Sequence, residues 1–177
     1  IPLTVGGGIR APEHLERALR SGADKVSVNS GAIREPSLIR EAAKRFGSQC
    51  VVLSMDVKRV GGQYHVFLDG GRTDTGILAG AWAARGEQEG AGELVVNSMD
   101  ADGVRGGFDM PLLDEIAKAS SLPLVASGGA GKKEDFVELF RNKRVDAGLA
   151  AGIFHAGELG IRELKEYLRA NGAEVRL

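Results

Sequence analysis

Short apolar runs alternate along the chain with longer stretches whose apolar positions recur every three to four residues. The runs predict strands at Leu3–Val5, Lys25–Val28, Cys50–Met55, Leu94–Asn97, Leu124–Ala126 and Ala147–Ala150. They are β-branched or continuously apolar, as strands covered on both faces are. The amphipathic stretches predict helices at Pro12–Ser21, Pro36–Phe46, Gly76–Glu89, Met110–Ala119, Lys133–Asn142 and Ile161–Ala170. Pro12 and Pro36 fall in a first helical turn, where the missing N–H has no partner to lose. Glycines in "SGAD", "FGSQ", "EGAG" and "NGAE" stand where a helix end takes a left-handed cap. The result is six β-α units and a parallel α/β reading. Residues 57–76, "VKRVGGQYHVFLDGGRTDTG", interrupt the pattern. Their "GG" between polar-apolar runs predicts a hairpin lying over the top of a strand, and an insertion of that length commonly serves as a lid.

The chain also repeats itself. "IPLTVGGGIR" (1–10) is echoed by "LPLVASGGAG" (122–131). "RSGADKVSVNSGA" (20–32) is echoed by "NKRVDAGLAAGIF" (142–154), with Asp24 opposite Asp146 and Ser30 opposite Gly152. Six units with a two-unit echo predict a (β/α)8 barrel of TIM type with six of its eight units, a partial barrel forming one domain over residues 1–177, with a half-barrel repeat. The rival is an open doubly wound sheet, which places its phosphate loop after the first strand and shows no such repeat.

Composition narrows the function. The chain is 43% hydrophobic and 27% charged, ordinary for a globular protein. A net charge of -1 gives no overall field that favours nucleic acid or an anionic membrane. No apolar run approaches the roughly 18 residues of a membrane span, and the expected location is the cytoplasm. Cys50 is the only cysteine, expected as a small buried strand residue. The first residue is Ile1, at what reads as the start of a strand.

In a barrel, chemistry sits at the C-terminal ends of the strands. Here those ends read "GGG" (6–8), "NS" (29–30), "MD" (55–56), "SMDADG" (98–103), "SGGAG" (127–131) and "AGIFHAGE" (151–158). Glycines and small hydroxyls leave backbone N–H groups uncovered for an anion. Gly6–Gly8 with Asn29 and Ser30 predict one phosphate cradle, and Ser127–Gly129 with Ala151 and Gly152 a second. Two cradles imply a substrate with a phosphate at each end, although tight β-α turns require glycine in any case. Asp56 ends the most apolar strand and either caps the next turn or acts as an acid/base. Asp102 either caps a turn or binds substrate hydroxyls, Asp100 shares that ambiguity, and His155 reads as a polar turn residue. No Cys/His/Asp group has metal-ligand spacing, and no dinucleotide or Walker fingerprint is present. Lys25 and Glu93 begin strands and point to the lower face.

The motifs "TVGGGIR", "GADKVSVNS", "RFGSQCVV", "GAGELVVNSMDADGVRGGFD", "ASGGAG" and "ELKEYLRANGAEVRL" together resemble the cyclase subunit of imidazole glycerol phosphate synthase, of the histidine pathway. More distantly they resemble the isomerase that precedes it. The resemblance implies two fused half-barrels and closure of an imidazole ring on a bis-phosphorylated ribonucleotide. Ammonia would come from a glutaminase subunit docked on the barrel floor, and the products would be imidazole glycerol phosphate and an aminoimidazole carboxamide ribonucleotide. No cofactor or metal is implied. The family's second catalytic aspartate falls on Asp56. Its phosphate positions fall on Gly8, Asn29 and Ser30 at one end, and on Asp102, Gly103, Gly129, Ala151 and Gly152 at the other. Gly152 replaces a serine. Lys25 and Glu93 match two members of a charged ammonia gate, and Gln49 the glutaminase interface. The family's first two β-α units have no counterpart here, and with them go its first catalytic aspartate, a loop lysine and two gate charges. The expectations are therefore a piece of a longer product or a chain that closes its gap by self-association, impaired as a cyclase alone. The alternatives are a non-catalytic bis-phosphate-binding barrel fragment and the sister isomerase.

Overall fold

The computed structural model describes residues 1–176. The strands are β1 (Thr4–Gly6), β2 (Lys25–Val28), β3 (Val51–Val60), β4 (Gln63–Leu68), β5 (Thr73–Leu78), β6 (Glu93–Ser98), β7 (Leu124–Ser127) and β8 (Ala147–Leu149). The helices are α1 (Pro12–Arg20), α2 (Ser30–Arg34), α3 (Ser37–Phe46), α4 (Ala79–Glu89), α5 (Met110–Ala119), α6 (Lys133–Arg141), α7 (Gly152–His155) and α8 (Ile161–Ala170). Six strands pair in the order β1-β2-β3-β6-β7-β8, all parallel. Strand order follows chain order with no reversal, so there is no switch point of the kind a doubly wound sheet contains. The sheet is a curled partial barrel.

Burial alternates along the strands with the period of two that a pleat imposes. In β6, Leu94, Val96 and Ser98 are buried while Glu93, Val95 and Asn97 are half-buried. The buried face packs under the helices, where Leu15, Ile39, Leu53, Met55, Leu94, Leu112, Ile116, Leu124, Phe136 and Leu139 form one core. Phe108 meets Phe136 edge-on at 5.3 Å between ring centroids. Strands covered on both faces were expected, but toward the clefts the inner face carries Ser54, Asp56, Asn97 and Ser127 instead. At the edges, β1 and β8 expose Val5 and Leu149, and Leu3 just ahead of β1 is exposed as well.

The repeat has a common atomic cause. Asp24 donates its backbone N–H to the Leu3 carbonyl at 2.9 Å and its carboxylate accepts the Leu3 N–H at 2.7 Å. Asp146 makes the same pair of bonds with Leu124, both at 2.9 Å. In each half the aspartate preceding the second strand thus ties down the start of the first. Thr4 pairs with Lys25 and Val125 with Ala147, so the second copy carries one residue more between its paired strands.

Three local readings differ from expectation. The helix expected from Gly76 begins at Ala79, because residues 73–78 pair with β4 instead. The strand expected to end at Met55 continues to Val60 and returns as β4, making the predicted hairpin a three-stranded antiparallel flap. Cys50 lies in a 3-10 turn, Ser48–Cys50, ahead of β3 and is partly exposed rather than buried in the strand. The helices α2 and α7, five and four residues long, had too few positions to show a periodicity.

The flap is anchored through Tyr64, which is buried and donates its hydroxyl to Asp109 at 2.9 Å. Asp109 also accepts the Ser98 hydroxyl at 3.0 Å and caps α5 by accepting the Leu112 N–H at 3.1 Å. Burial, and then the Asp109 carboxylate beside it, push the Tyr64 phenol up to about 12 from its ordinary 10.0. The folded state therefore holds this proton over a range in which the unfolded chain has released it. The phenol's contribution to stability is complete below pH 10 and lost as pH rises toward 12. Denaturant titrations across that window are expected to show stability falling with pH, and Tyr64→Phe is expected to flatten the slope.

Candidate active site

Asp56 lies where β3 stops being a barrel strand and becomes the first strand of the flap. Leu53, Met55 and Val57 of β3 are buried in the helix-covered core, so the pleat turns Ser54 and Asp56 to the other face. Pairing with β6 sets Asp56 against Asn97. Asn29 follows β2, whose Val28 is level with Leu53. The Asp56 carboxylate accepts the Asn29 Nδ2–H at 2.9 Å on Oδ2 and the Asn97 Nδ2–H at 3.2 Å on Oδ1. An ionised carboxylate only accepts hydrogen bonds, so two amide donors suit it and fix its plane. The Asn29 Oδ1 is buried without a hydrogen-bond partner among the described residues. Asn97 was not singled out from the sequence, yet the tripeptide "VNS" at both 28–30 and 96–98 marks the two donors.

Two clefts flank this carboxylate. The first, about 420 Å³, is walled by Gly6–Gly8, Ser27, Asn29, Ser30, Arg34 and Asp69. The second, about 500 Å³, is walled by Asp102, Gly103, Arg105, Ser127–Ala130 and Leu149–Gly152. Ser54 and Asp56 belong to both. All the residues expected for two phosphate cradles and an acid/base between them thus line one continuous strand-end surface.

The cradles are built differently. Gly7 and Gly8 are exposed, with φ of +101° and +69°, and a Cβ on either would meet nothing within 4 Å. Gly128 and Gly129 are buried. A Cβ on Gly129 would lie 2.0 Å from the Gly107 carbonyl oxygen, and one on Gly128 2.6 Å from that of Ser98. The first glycine pair leaves the cleft open, while the second lets the loop after β6 pack onto the loop after β7. Open backbone in the second cradle comes instead from the exposed Ala151 and Gly152.

The remaining candidates separate by position. Asp102 makes a turn, its N–H donating to the Ser98 carbonyl at 2.9 Å, and also lines the second cleft. Asp100 accepts the Arg59 N–H at 2.7 Å and fastens the flap, outside both clefts. His155 is exposed at the end of α7. Among the described residues no group of three His, Cys, Asp or Glu side chains is placed to hold a metal ion. Lys25 and Glu93 open β2 and β6, at the opposite end of the strands from Asp56, and form an ion pair across β3. The exposed Gln49 lies at the same end, in the turn that enters β3.

The contrast between cradles is measurable by denaturation. Gly129→Ala is expected to destabilise the fold by about 3 kcal/mol or more, through overlap with the Gly107 carbonyl and a forced positive φ. Gly8→Ala carries only the backbone penalty, about 1 kcal/mol.

The family model described as "Histidine biosynthesis protein" matches residues 1–160. The imidazole glycerol phosphate synthase subunit HisF of Campylobacter concisus (strain 13826) is 56% identical over 177 residues, which are 100% of this chain and 70% of that protein. A partial barrel with sequential parallel strands, a half-barrel repeat and these matches place the chain in the histidine biosynthesis protein family, alongside the HisF subunits.

Proposed function

We propose that the chain supplies substrate binding and half of the acid/base chemistry of a cyclase, one that closes an imidazole ring on a bis-phosphorylated ribonucleotide with ammonia. The observation that carries this reading is the position of Asp56, clamped by Asn29 and Asn97 in the wall shared by two clefts. A ligand with an anion at each end can lie along both clefts only by crossing Asp56. Gly8, Asn29 and Ser30 would hold one phosphate. Gly103, Gly129, Ala151 and Gly152 would hold the other, with Asp102 on a neighbouring hydroxyl.

Ring closure with ammonia forms two carbon–nitrogen bonds: the attacking nitrogen loses protons, a carbonyl oxygen departs as water, and the nitrogen of the aminoimidazole carboxamide ribonucleotide gains a proton as its carbon–nitrogen bond breaks. A fixed carboxylate between the anchored ends can accept and return such protons. The amide clamp holds it in one orientation, so no reorganisation is needed when the ring nitrogen arrives. The Lys25–Glu93 pair at the other end of the strands is suited to gate ammonia entering from a glutaminase subunit docked near Gln49. The exposed apolar edges at Leu3, Val5 and Leu149 favour pairing with a further strand, supplied by a longer chain or by a second copy.

Asp56→Asn is expected to lower ammonia-dependent turnover of the bis-phosphorylated substrate by roughly 100- to 10,000-fold, with its dissociation constant changed by less than about fivefold. Equal losses of binding and turnover would make Asp56 a binding group and sink the acid/base assignment. Residues 1–177 alone are expected to bind the substrate but turn it over roughly 100- to 10,000-fold more slowly than the same chain joined to the two further units. Equal rates in single-turnover measurements would show that no second carboxylate is required. Absence of binding would remove the cyclase reading.

A further inference from the structure

Each cleft carries on its lip an arginine held by a carboxylate from another loop, and Arg10 also lines the first cleft. At the first cleft the Arg34 Nη2 donates to both oxygens of Asp69, at 2.5 and 2.6 Å. Asp69 comes from the flap, and its N–H also donates to the Ser30 hydroxyl at 2.9 Å. At the second cleft Arg105 grips Glu158 with both terminal nitrogens, at 2.9 and 3.0 Å. Its Nη2 lies 3.7 Å from where a Cβ on Gly152 would stand. Side-chain exposures are 49% and 43% in the first pair and 47% and 46% in the second. Both pairs are half in water, where screening leaves an ion pair weakly held.

Backbone conformation singles out the same two places. Among the described residues only two other than glycine have positive φ, Asp69 at 58° and Arg105 at 60°. One stands at each cleft, and each belongs to one of these pairs. Residues other than glycine in this conformation gather at ligand clamps.

We propose that Arg34 and Arg105 are interchangeable-partner ligands. In the empty protein each rests on its carboxylate, and on binding each transfers its guanidinium from that carboxylate to the phosphate entering its cleft. This inference rests on the bis-phosphate reading above and extends it. A phosphate dianion outbids a carboxylate for the guanidinium fork because it offers more charge and the same paired-oxygen geometry. At the first cleft the Asp69 backbone N–H donates to the Ser30 oxygen, which leaves the Ser30 O–H free to donate to the same phosphate. At the second, Arg105 supplies the side-chain donor that Gly152, lacking a hydroxyl, does not.

The test is calorimetric titration with the bis-phosphorylated ribonucleotide, supported by nuclear magnetic resonance titration with inorganic phosphate. Arg34→Ala and Arg105→Ala are each expected to weaken bis-phosphate binding about tenfold, and together about a hundredfold. Asp69→Asn and Glu158→Gln are expected to tighten it about two- to fivefold, because the guanidinium is no longer held elsewhere. That opposite sign separates an exchangeable ligand from a structural ion pair, since structural loss would weaken binding whichever partner was changed. Inorganic phosphate should shift the amide signals of Gly8 and Gly152, less so in the arginine variants. Arginine variants within twofold of the parent chain would overturn the proposal and leave the bis-phosphate reading standing, as would carboxylate variants that weaken binding. A parent chain that binds no bis-phosphate would overturn both.

Discussion

The pleat of β3 is the constraint from which the site follows. One strand must put Leu53, Met55 and Val57 into the core under the helices and Ser54 and Asp56 into the clefts. Because side chains alternate with a period of two, a slip of one residue against β2 or β6 would drive the carboxylate among the apolar side chains and expose three core residues. The burial of those three therefore fixes the height at which Asp56 meets Asn97 and Asn29. Core packing and the placing of the Asp56 carboxylate are one specification.

Much of this was legible in the chain itself. Apolar runs bounded by glycine marked all six barrel strands within a few residues, since a central parallel strand needs a continuous apolar run whatever its neighbours are. The six longer helices were visible through their amphipathic periodicity. The flap was legible as a hairpin at "GG" 61–62 but not as three strands, because "TDTGIL" has neither the β-branched density nor the alternation of a core strand and pairs only where β4 offers its edge. The small residues that wall the two clefts were legible through their place after the strands. Asn97 was overlooked, because its role depends on a strand neighbour 41 residues away, and the repeated "VNS" was its only local sign.

The two halves show what a duplicated frame keeps and what it releases. Asp24 and Asp146 make the same two bonds to the strand before them, since every such unit must tie its second strand to its first. The glycine turns have diverged. In one half they face open space, and in the other they are filled by a neighbouring loop. Strand pairing constrains the frame, while the rim is free to diverge.

One further consequence comes from the continuity of β3. The strand that carries Asp56 runs without a break into the flap whose far turn holds Asp69 over the first cleft. Asp69 and Asp56 are thus mounted on one inextensible ribbon, and the length of that ribbon acts as a ruler. Adding or removing a residue between Asp56 and the flap's turn would change the reach of the cover and flip its facing side chains at once. The β3 hairpin is bound to a fixed count.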